Sequence, residues 1–424
     1  VTPEDCAFLT SLFTAAVAAA DPVQALRPHL PDRPKGRTVV IGAGKGAAQL
    51  AAAFETLWDG PVEGVVVTRY GYAVPCQTIR VLEAAHPVPD AAGMQASAAL
   101  MKAVEGLTQD DLVVALICGG GSSLLPAPPN GLTLADEQAL NAALLRSGAP
   151  IGVMNAIRKH VSGIKGGRLA AAAHPAQVVS LVVSDVPGDE PAQVASGPTV
   201  PSSVTLDEAR NLIAAYKIAL PPRVAAHLET EAARAPDPSD PVFKTHETRV
   251  IASARLSLLA AQAEAERHGI PAVILSDAIE GEAKDVGQVH AALAREIARH
   301  GTPFAPPVVL LSGGETTVTL RDDPGRGGRN TAFQLSFAQA IDGVAGIAAL
   351  AADTDGIDGS QDNAGAFADG TSAAQMRAAG VDPLAAQAAQ DPWGAFDAVG
   401  DLFAPGPTGT NVNDFRAILI RPQA

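Results

Sequence analysis

The chain has 424 residues, which at roughly 100–200 residues per domain suggests two domains or three. Hydrophobic residues make up 47 % and charged residues 18 %, a balance that excludes long disordered regions. The net charge of −15 argues against a nucleic-acid binder and a polybasic membrane-surface protein, but a local cluster of cations can still hold a small anion.

In chain order, 8–20 reads as a helix. Residues 38–41 form a buried strand whose glycine turn enters a helix over 45–57. Strands at 65–67 and 79–82, a helix at 90–106 and an apolar strand at 112–118 follow, the last ending in Gly119-Gly120-Gly121. Helices interrupted by Gly and Pro fill 134–172, and a strand at 178–183 stops at Ser184-Asp185. The segment 229–247, with Pro236, Pro238 and Pro241 among charges, reads as a linker. After it come strands at 250–252 and 273–275 around a helix at 255–268, then a helix at 282–300 and a strand at 308–311. Residues 316–320 alternate like the return arm of a hairpin; a helix at 329–342 and strands at 346–351 and 417–420 complete the pattern. Apolar runs alternating with helices predict an α/β class with two Rossmann-like domains, 1–236 and 237–424, and mainly parallel or mixed sheets.

No apolar run approaches the ~18–20 residues of a membrane span, and the first residues show no basic region of a secretory signal. Cys6, Cys76 and Cys118 lack Cys-x-x-Cys spacing, which predicts reduced thiols in a cytoplasmic protein.

Several motifs carry chemistry. In Gly42-Ala43-Gly44-Lys45-Gly46-Ala47, a glycine turn between strand and helix offers free N–H groups and the helix dipole to an anion, and Lys45 adds a point charge. The spacing fits a dinucleotide fingerprint loosely, but the next strand ends in Thr68-Arg69 where that fingerprint expects an acid. Gly119-Gly120-Gly121-Ser122-Ser123 can curl into an anion-binding nest. Residues 158–168 concentrate Arg158, Lys159, His160, Lys165 and Arg168. Asp185 and Asp189 stand just past a strand end, with Ser196 close behind, and either acid could bind Mg²⁺ or accept a hydroxyl proton. Ser312-Gly313-Gly314-Glu315 and Gly327-Gly328-Arg329-Asn330 pair a glycine-flanked acid with an arginine suited to a transferring phosphoryl group. Asp353-Thr354-Asp355-Gly356-Ile357-Asp358 lacks the twelfth-position Glu of a calcium loop and suits a Mg-nucleotide or sugar-hydroxyl site. Asn411 and Asn413 lie in a polar turn able to bond a nucleotide or close a site.

Taken together, these strings closely resemble the class II glycerate kinase, or MOFRL, family over nearly the whole chain. The resemblance implies transfer of the ATP γ-phosphate to D-glycerate, giving 2-phosphoglycerate, in a two-domain α/β protein with the active site in the cleft between domains. It implies Lys45 and Arg329 as catalytic cations, with Asp189 and Glu315 facing them. On this reading Asp189 orients or deprotonates the glycerate hydroxyl, while Glu315, Asp355 and Asp185 are candidates for Mg²⁺. Gly44, Gly46, Gly120, Gly121, Ser122, Ser123, Lys165, Ser196, Gly314, Asn330, Asn411 and Asn413 would bind substrate or phosphate. The partners expected are D-glycerate and ATP, with no nucleic acid or membrane, on a monomer or homodimer. Two other readings stay open: an NAD(P)H-dependent hydroxypyruvate reductase, and a non-catalytic anion-binding module.

Overall fold

The computed structural model describes residues 1–422. Two compact units divide the chain: Pro22–Ile251, and a second made of Val1–Asp21 with Ala252–Ala424.

In the first unit, β1 (Thr38–Ala43), β2 (Glu63–Arg69), β3 (Ile79–Ala84), β4 (Leu112–Cys118), β5 (Gln177–Val183) and β6 (His246–Ala252) form a sheet in the order β3-β2-β1-β4-β5-β6. The pairs β1–β2, β2–β3, β1–β4 and β4–β5 are parallel. Every residue of β1 and β4 is buried, as a parallel sheet covered on both faces requires. Val39, Ile41, Val113, Ala115 and Ile117 pack in one core with Ala96 and Leu100 of the helix Ala91–Ala103. The strand order reverses between β1 and β4. Connections therefore leave those two strands in opposite directions and open a crevice at their carboxyl ends, where open α/β sheets hold ligands.

In the second unit, β7 (Ala272–Glu282), β8 (Val308–Thr317), β9 (Ile347–Asp353), β10 (Gly365–Asp369), β11 (Leu402–Phe403) and β12 (Asp414–Ile420) are ordered β11-β10-β9-β12-β8-β7. β7 and β8 are parallel, whereas β12 lies antiparallel between β8 and β9. The carboxyl ends of β8 and β9 thus meet the amino end of β12, and Asp414 sits opposite both Gly314 and Asp353.

Four expectations change. The first helix, Pro3–Ala19, belongs with the second unit: Phe8, Leu9, Leu12, Phe13 and Ala16 join a core containing Leu258, Ala261, Phe403 and Phe415, and Arg421 pairs with Asp5. The strand near 250 is the edge of the first sheet, so the expected boundary at 236/237 cuts through material of the first unit. The proline-rich segment before it is tied down by its carbonyls, since Ala233 O lies 3.0 Å from His160 Nδ1 and Arg234 O accepts from Arg168 Nη2 at 3.0 Å. The expected hairpin at 316–320 does not form: Thr316 and Thr317 are the last residues of β8, and 318–320 lie outside any strand. Gly314, at φ +121°, lets β8 run against the irregular part of β7, where a Cβ would stand 2.2 Å from Ile279 O. No single helix among the described residues is long and apolar enough to cross a membrane.

His290 couples layers of the second unit. Its Nδ1 lies 2.8 Å from Val286 O, its Nε2 lies 3.0 Å from Ser312 Oγ, and its ring meets Phe333 edge-on. Burial pushes its pKa down to about 4, against the opposing Val286 hydrogen bond and with help from Arg416. An unfolded histidine titrates near 6.5, so the neutral ring contributes stability above that pH and loses it as pH falls toward 4. Urea midpoints should therefore fall across pH 6.5 to 4, with a contribution from His290 on the order of 3 kcal/mol. His290→Gln should show a shallower fall; an unchanged pH dependence would remove this assignment.

Candidate active site

At the crevice between β1 and β4, backbone contact dictates the residues. Gly44 has φ +133°, and a Cβ there would lie 2.4 Å from Cys118 O, so only glycine lets the loop after β1 pass the end of β4. Lys45 N donates to Gly119 O at 2.9 Å, joining the two loops, and Thr68 Oγ1 donates to Lys45 O at 3.1 Å. Gly46 begins the helix Ala47–Leu57 without any side-chain cap, leaving that helix end suited to an anion. The Lys45 side chain runs along Gly120: a Cβ on Gly120 would stand 3.1 Å from both Lys45 Cε and His86 Nε2. Burial lowers the pKa of His86, and the charges of Lys45 and Arg69 lower it further, so a neutral imidazole faces the lysine. The Asp185 carboxylate lies directly on Gly119, and burial followed by that charge pushes the Cys118 thiol up to about 12.

The loop after β4 packs on the turn after β5. Ser122 Oγ and Ser196 Oγ are 2.8 Å apart; Ser196 Oγ donates to Asn155 Oδ1 at 3.1 Å, and Arg158 Nη1 donates to the same oxygen at 3.0 Å. Ser123 Oγ donates to Gly120 O at 3.3 Å. A Cβ on Gly121 would meet the Ala195 methyl at 2.7 Å. Asp189, Ala195 and Ser196 all have positive φ, between +52° and +61°. Non-glycine residues in that region cost of order 1 kcal/mol or more each, and such strain clusters at functional sites.

Two lysines of the basic stretch 158–168 are buried, and one of them departs from its expected role. Lys165 is buried and donates to Glu137 Oε1 at 2.8 Å and Leu125 O at 2.9 Å, so it braces the fold and is not a free phosphate ligand. Lys159 is fully buried and its ammonium has no hydrogen-bond partner among the described residues; burial pushes its pKa down to about 8, opposed by the charge of Glu190.

In the second unit, three strand ends bring three carboxylates onto one guanidinium. Arg329 Nε donates to Asp414 Oδ1 at 2.6 Å, Nη1 to Glu315 Oε1 at 2.8 Å and Nη2 to Asp353 Oδ2 at 2.7 Å. Burial lowers the pKa of Arg329, but Asp414, Asp353 and Glu315 outweigh it and raise the value, so the side chain stays a cation. Burial drives Asp353 well upward despite Arg329. The N-terminus of the helix Arg329–Ala340 is already filled by Asp358, which accepts from Asn330 N at 2.9 Å and Thr331 N at 2.8 Å.

Asn330 is therefore a buried framework residue whose Nδ2 donates to Asp414, contrary to the expected substrate role. Gly314 serves the strand contact described above. Asn411 Oδ1 accepts from Asn413 N at 3.1 Å, and Asn413 O takes the Thr354 hydroxyl at 2.7 Å, so both asparagines hold the turn before β12. Asp355 Oδ1 accepts from Ile357 N at 2.8 Å. Among the described residues, no group of three or more His, Cys, Asp or Glu side chains could hold a metal, so Glu315 and Asp355 belong to no such cage within the second unit. The sequence reading missed His86, Asn155 and Arg416, and took Asp414 only as the last residue of the polar turn that holds Asn411 and Asn413. Nothing local marks its pairing; only the register of β12 brings Asp414 to Gly314 and Asp353.

Residues 308–414 match the MOFRL family, and residues 8–229 match a domain of unknown function, DUF4147. The chain is 39 % identical over 383 residues to the "Glycerate 2-kinase" of Pyrococcus horikoshii, covering 89 % of this chain and 86 % of that protein. It is 52 % identical over 414 residues to a protein of Agrobacterium vitis named "Putative hydroxypyruvate reductase", covering 97 % and 94 %. The crystal structure of a glycerate kinase from Thermotoga maritima superposes with a TM-score of 0.90 at 35 % identity, over 99 % of this chain and all of that one.

The Lys165–Glu137 pair yields a direct test. Removing one partner of a buried pair leaves the other uncompensated and costs about 3–5 kcal/mol. Lys165→Met should lower the thermal midpoint sharply, and adding Glu137→Leu should recover much of the loss. A Lys165→Met protein of unchanged stability with weakened anion binding would restore the ligand role.

Proposed function

Because this chain belongs to the class II glycerate kinase (MOFRL) family, we propose that it transfers the γ-phosphoryl group of ATP, with Mg²⁺, to the 2-hydroxyl of D-glycerate. The observation that carries this reading is Lys45, set beside an uncapped helix N-terminus at the switch point of a parallel sheet. That arrangement suits anionic substrates, and phosphoryl transfer depends mainly on positioning and electrostatics.

In the proposed reaction the glycerate oxygen attacks the γ-phosphorus, the bond to the bridging oxygen breaks, and ADP leaves. Asp189, in the strained turn after β5, orients the hydroxyl or takes its proton. Lys45 neutralises charge on phosphate or on the glycerate carboxylate, with the nest at Gly119–Ser123 beside it. Arg329 stabilises charge on the transferring group. Mg²⁺ carried by the nucleotide needs only one or two protein carboxylates, which Glu315, Asp355 or Asp185 would supply singly; it would offset phosphate charge.

The name of the Agrobacterium vitis relatives keeps the reductase reading in the test. Against it, β2 ends in Thr68-Arg69 where a ribose-binding acid would stand, and the Thr68 hydroxyl is committed to Lys45 O. With D-glycerate and Mg-ATP the protein should release ADP in a coupled assay; with hydroxypyruvate and NADH it should leave NADH unoxidised. Lys45→Ala and Arg329→Ala should each lower kcat by roughly 10²–10³-fold. Near-wild-type rates in both variants, or NADH oxidation without ADP release, would overturn the proposal.

A further inference from the structure

The three carboxylates around Arg329 are not equivalent. The side chain of Glu315 is 57 % exposed, that of Asp353 8 % and that of Asp414 0 %. An exposed ion pair holds weakly and exchanges with solvent, whereas a buried one is costly to open. Asp414 is also saturated. Its Oδ1 accepts from Arg329 Nε and Asn330 Nδ2, and its Oδ2 accepts from Thr316 N and Thr316 Oγ1, each at 3.1 Å, and from Arg416 Nη2. Five donors exceed the roughly four lone-pair sites of a carboxylate, so its orientation is fixed.

Arg416 is the unusual member. It is wholly buried, its guanidinium stands 4.9 Å from the centre of the Phe333 ring, and its Nε and Nη1 have no hydrogen-bond partners among the described residues. Burial lowers its pKa, and the charge of Asp414 opposes that. An apolar side chain of similar volume would satisfy the core at lower cost. What this arginine supplies is a second cation for a cluster in which three carboxylates otherwise share one, together with donation to Thr316 Oγ1 at 3.0 Å.

We infer that Asp414, braced by Arg416, is a positioning residue that clamps Arg329 through Nε, so that Nη1 alone exchanges Glu315 for an anionic oxygen of the substrate. Asp353 holds Nη2 and fixes the guanidinium plane. The inference rests on the proposed role of Arg329 at the transferring phosphoryl group, and it assigns the residues that aim it.

The test is chemical rescue. In Arg329→Ala, added guanidinium ion should bind the vacated carboxylates and restore part of the lost kcat. In Arg329→Ala/Asp414→Asn that rescue should vanish. Asp414→Asn alone should lower kcat by roughly 10²-fold while KM for glycerate and ATP stays within about threefold, the pattern expected when a group is misaimed. Arg416→Lys should retain more kcat than Arg416→Met at matched thermal midpoints, which guards against a variant that merely folds poorly. Equal guanidinium rescue with and without Asp414, or wild-type kcat in folded Asp414→Asn, would overturn the positioning role while leaving the kinase reading intact. Wild-type kcat in Arg329→Ala would instead remove the role of Arg329 on which the inference rests.

Discussion

The charge balance around Asp414 is the constraint on which the arginine cluster depends. One buried carboxylate stands between two guanidiniums, and it is placed there by sheet topology. Because β12 runs antiparallel between β8 and β9, the first residue of one strand meets the last residues of two others. Three acids and Arg329 therefore converge without any being close neighbours in sequence. Remove the antiparallel insertion and Arg329 would face Glu315 and Asp353 without the fully buried carboxylate that holds its Nε. Arg416, two residues further along β12, completes the balance from inside the core.

The crevice in the other unit is built by a different constraint, the absence of side chains. At Gly44 and Gly119 a Cβ would collide with the backbone of Cys118 and with the Asp185 carboxylate respectively. The two loops are pinned by Lys45 N to Gly119 O, and this brings the Lys45 side chain over Gly120 beside His86. Here backbone proximity places a cation, whereas in the arginine cluster side-chain pairing places it. The paired arginine is held rigidly, which electrostatic stabilisation of a transferring group requires, since reorientation during the reaction would consume part of the gain.

Much of this was legible in the sequence, for identifiable reasons. Apolar runs such as Leu112–Cys118 and their glycine turns announce parallel strands and the loops after them, so Lys45 and the Gly119–Ser123 nest could be named directly. Arg329 stands out through its glycines. Features that depend on distant pairing were hidden. The sequence presents Lys165 as one more cation in a basic stretch, and only the fold sets Glu137 against it. Asn330 looks like a ligand residue until Asp358 and Asp414 are seen to claim its backbone and amide. β10, reading Gly-Ala-Phe-Ala-Asp, lacks the β-branched residues that mark a strand, and was not anticipated. The first helix carries no signal of which sheet it covers; that is decided by Phe13 meeting Phe403 and Phe415.

The net charge of −15 also gains a physical meaning. A sum over the chain treats every charge as solvated, yet the cations that matter are largely removed from water. Lys159, Lys165 and Arg416 are all buried, and each is costly unless something compensates it. Glu137 compensates Lys165 fully, and Asp414 compensates Arg416 in part. Arg329 donates to three carboxyl groups, so its guanidinium reaches an incoming anion only when one of them gives way. The acids that make the chain so negative are thus, at this cluster, the means by which one arginine is held ready: Asp414 and Asp353 fix where it points, and the exposed Glu315 determines how readily it is released.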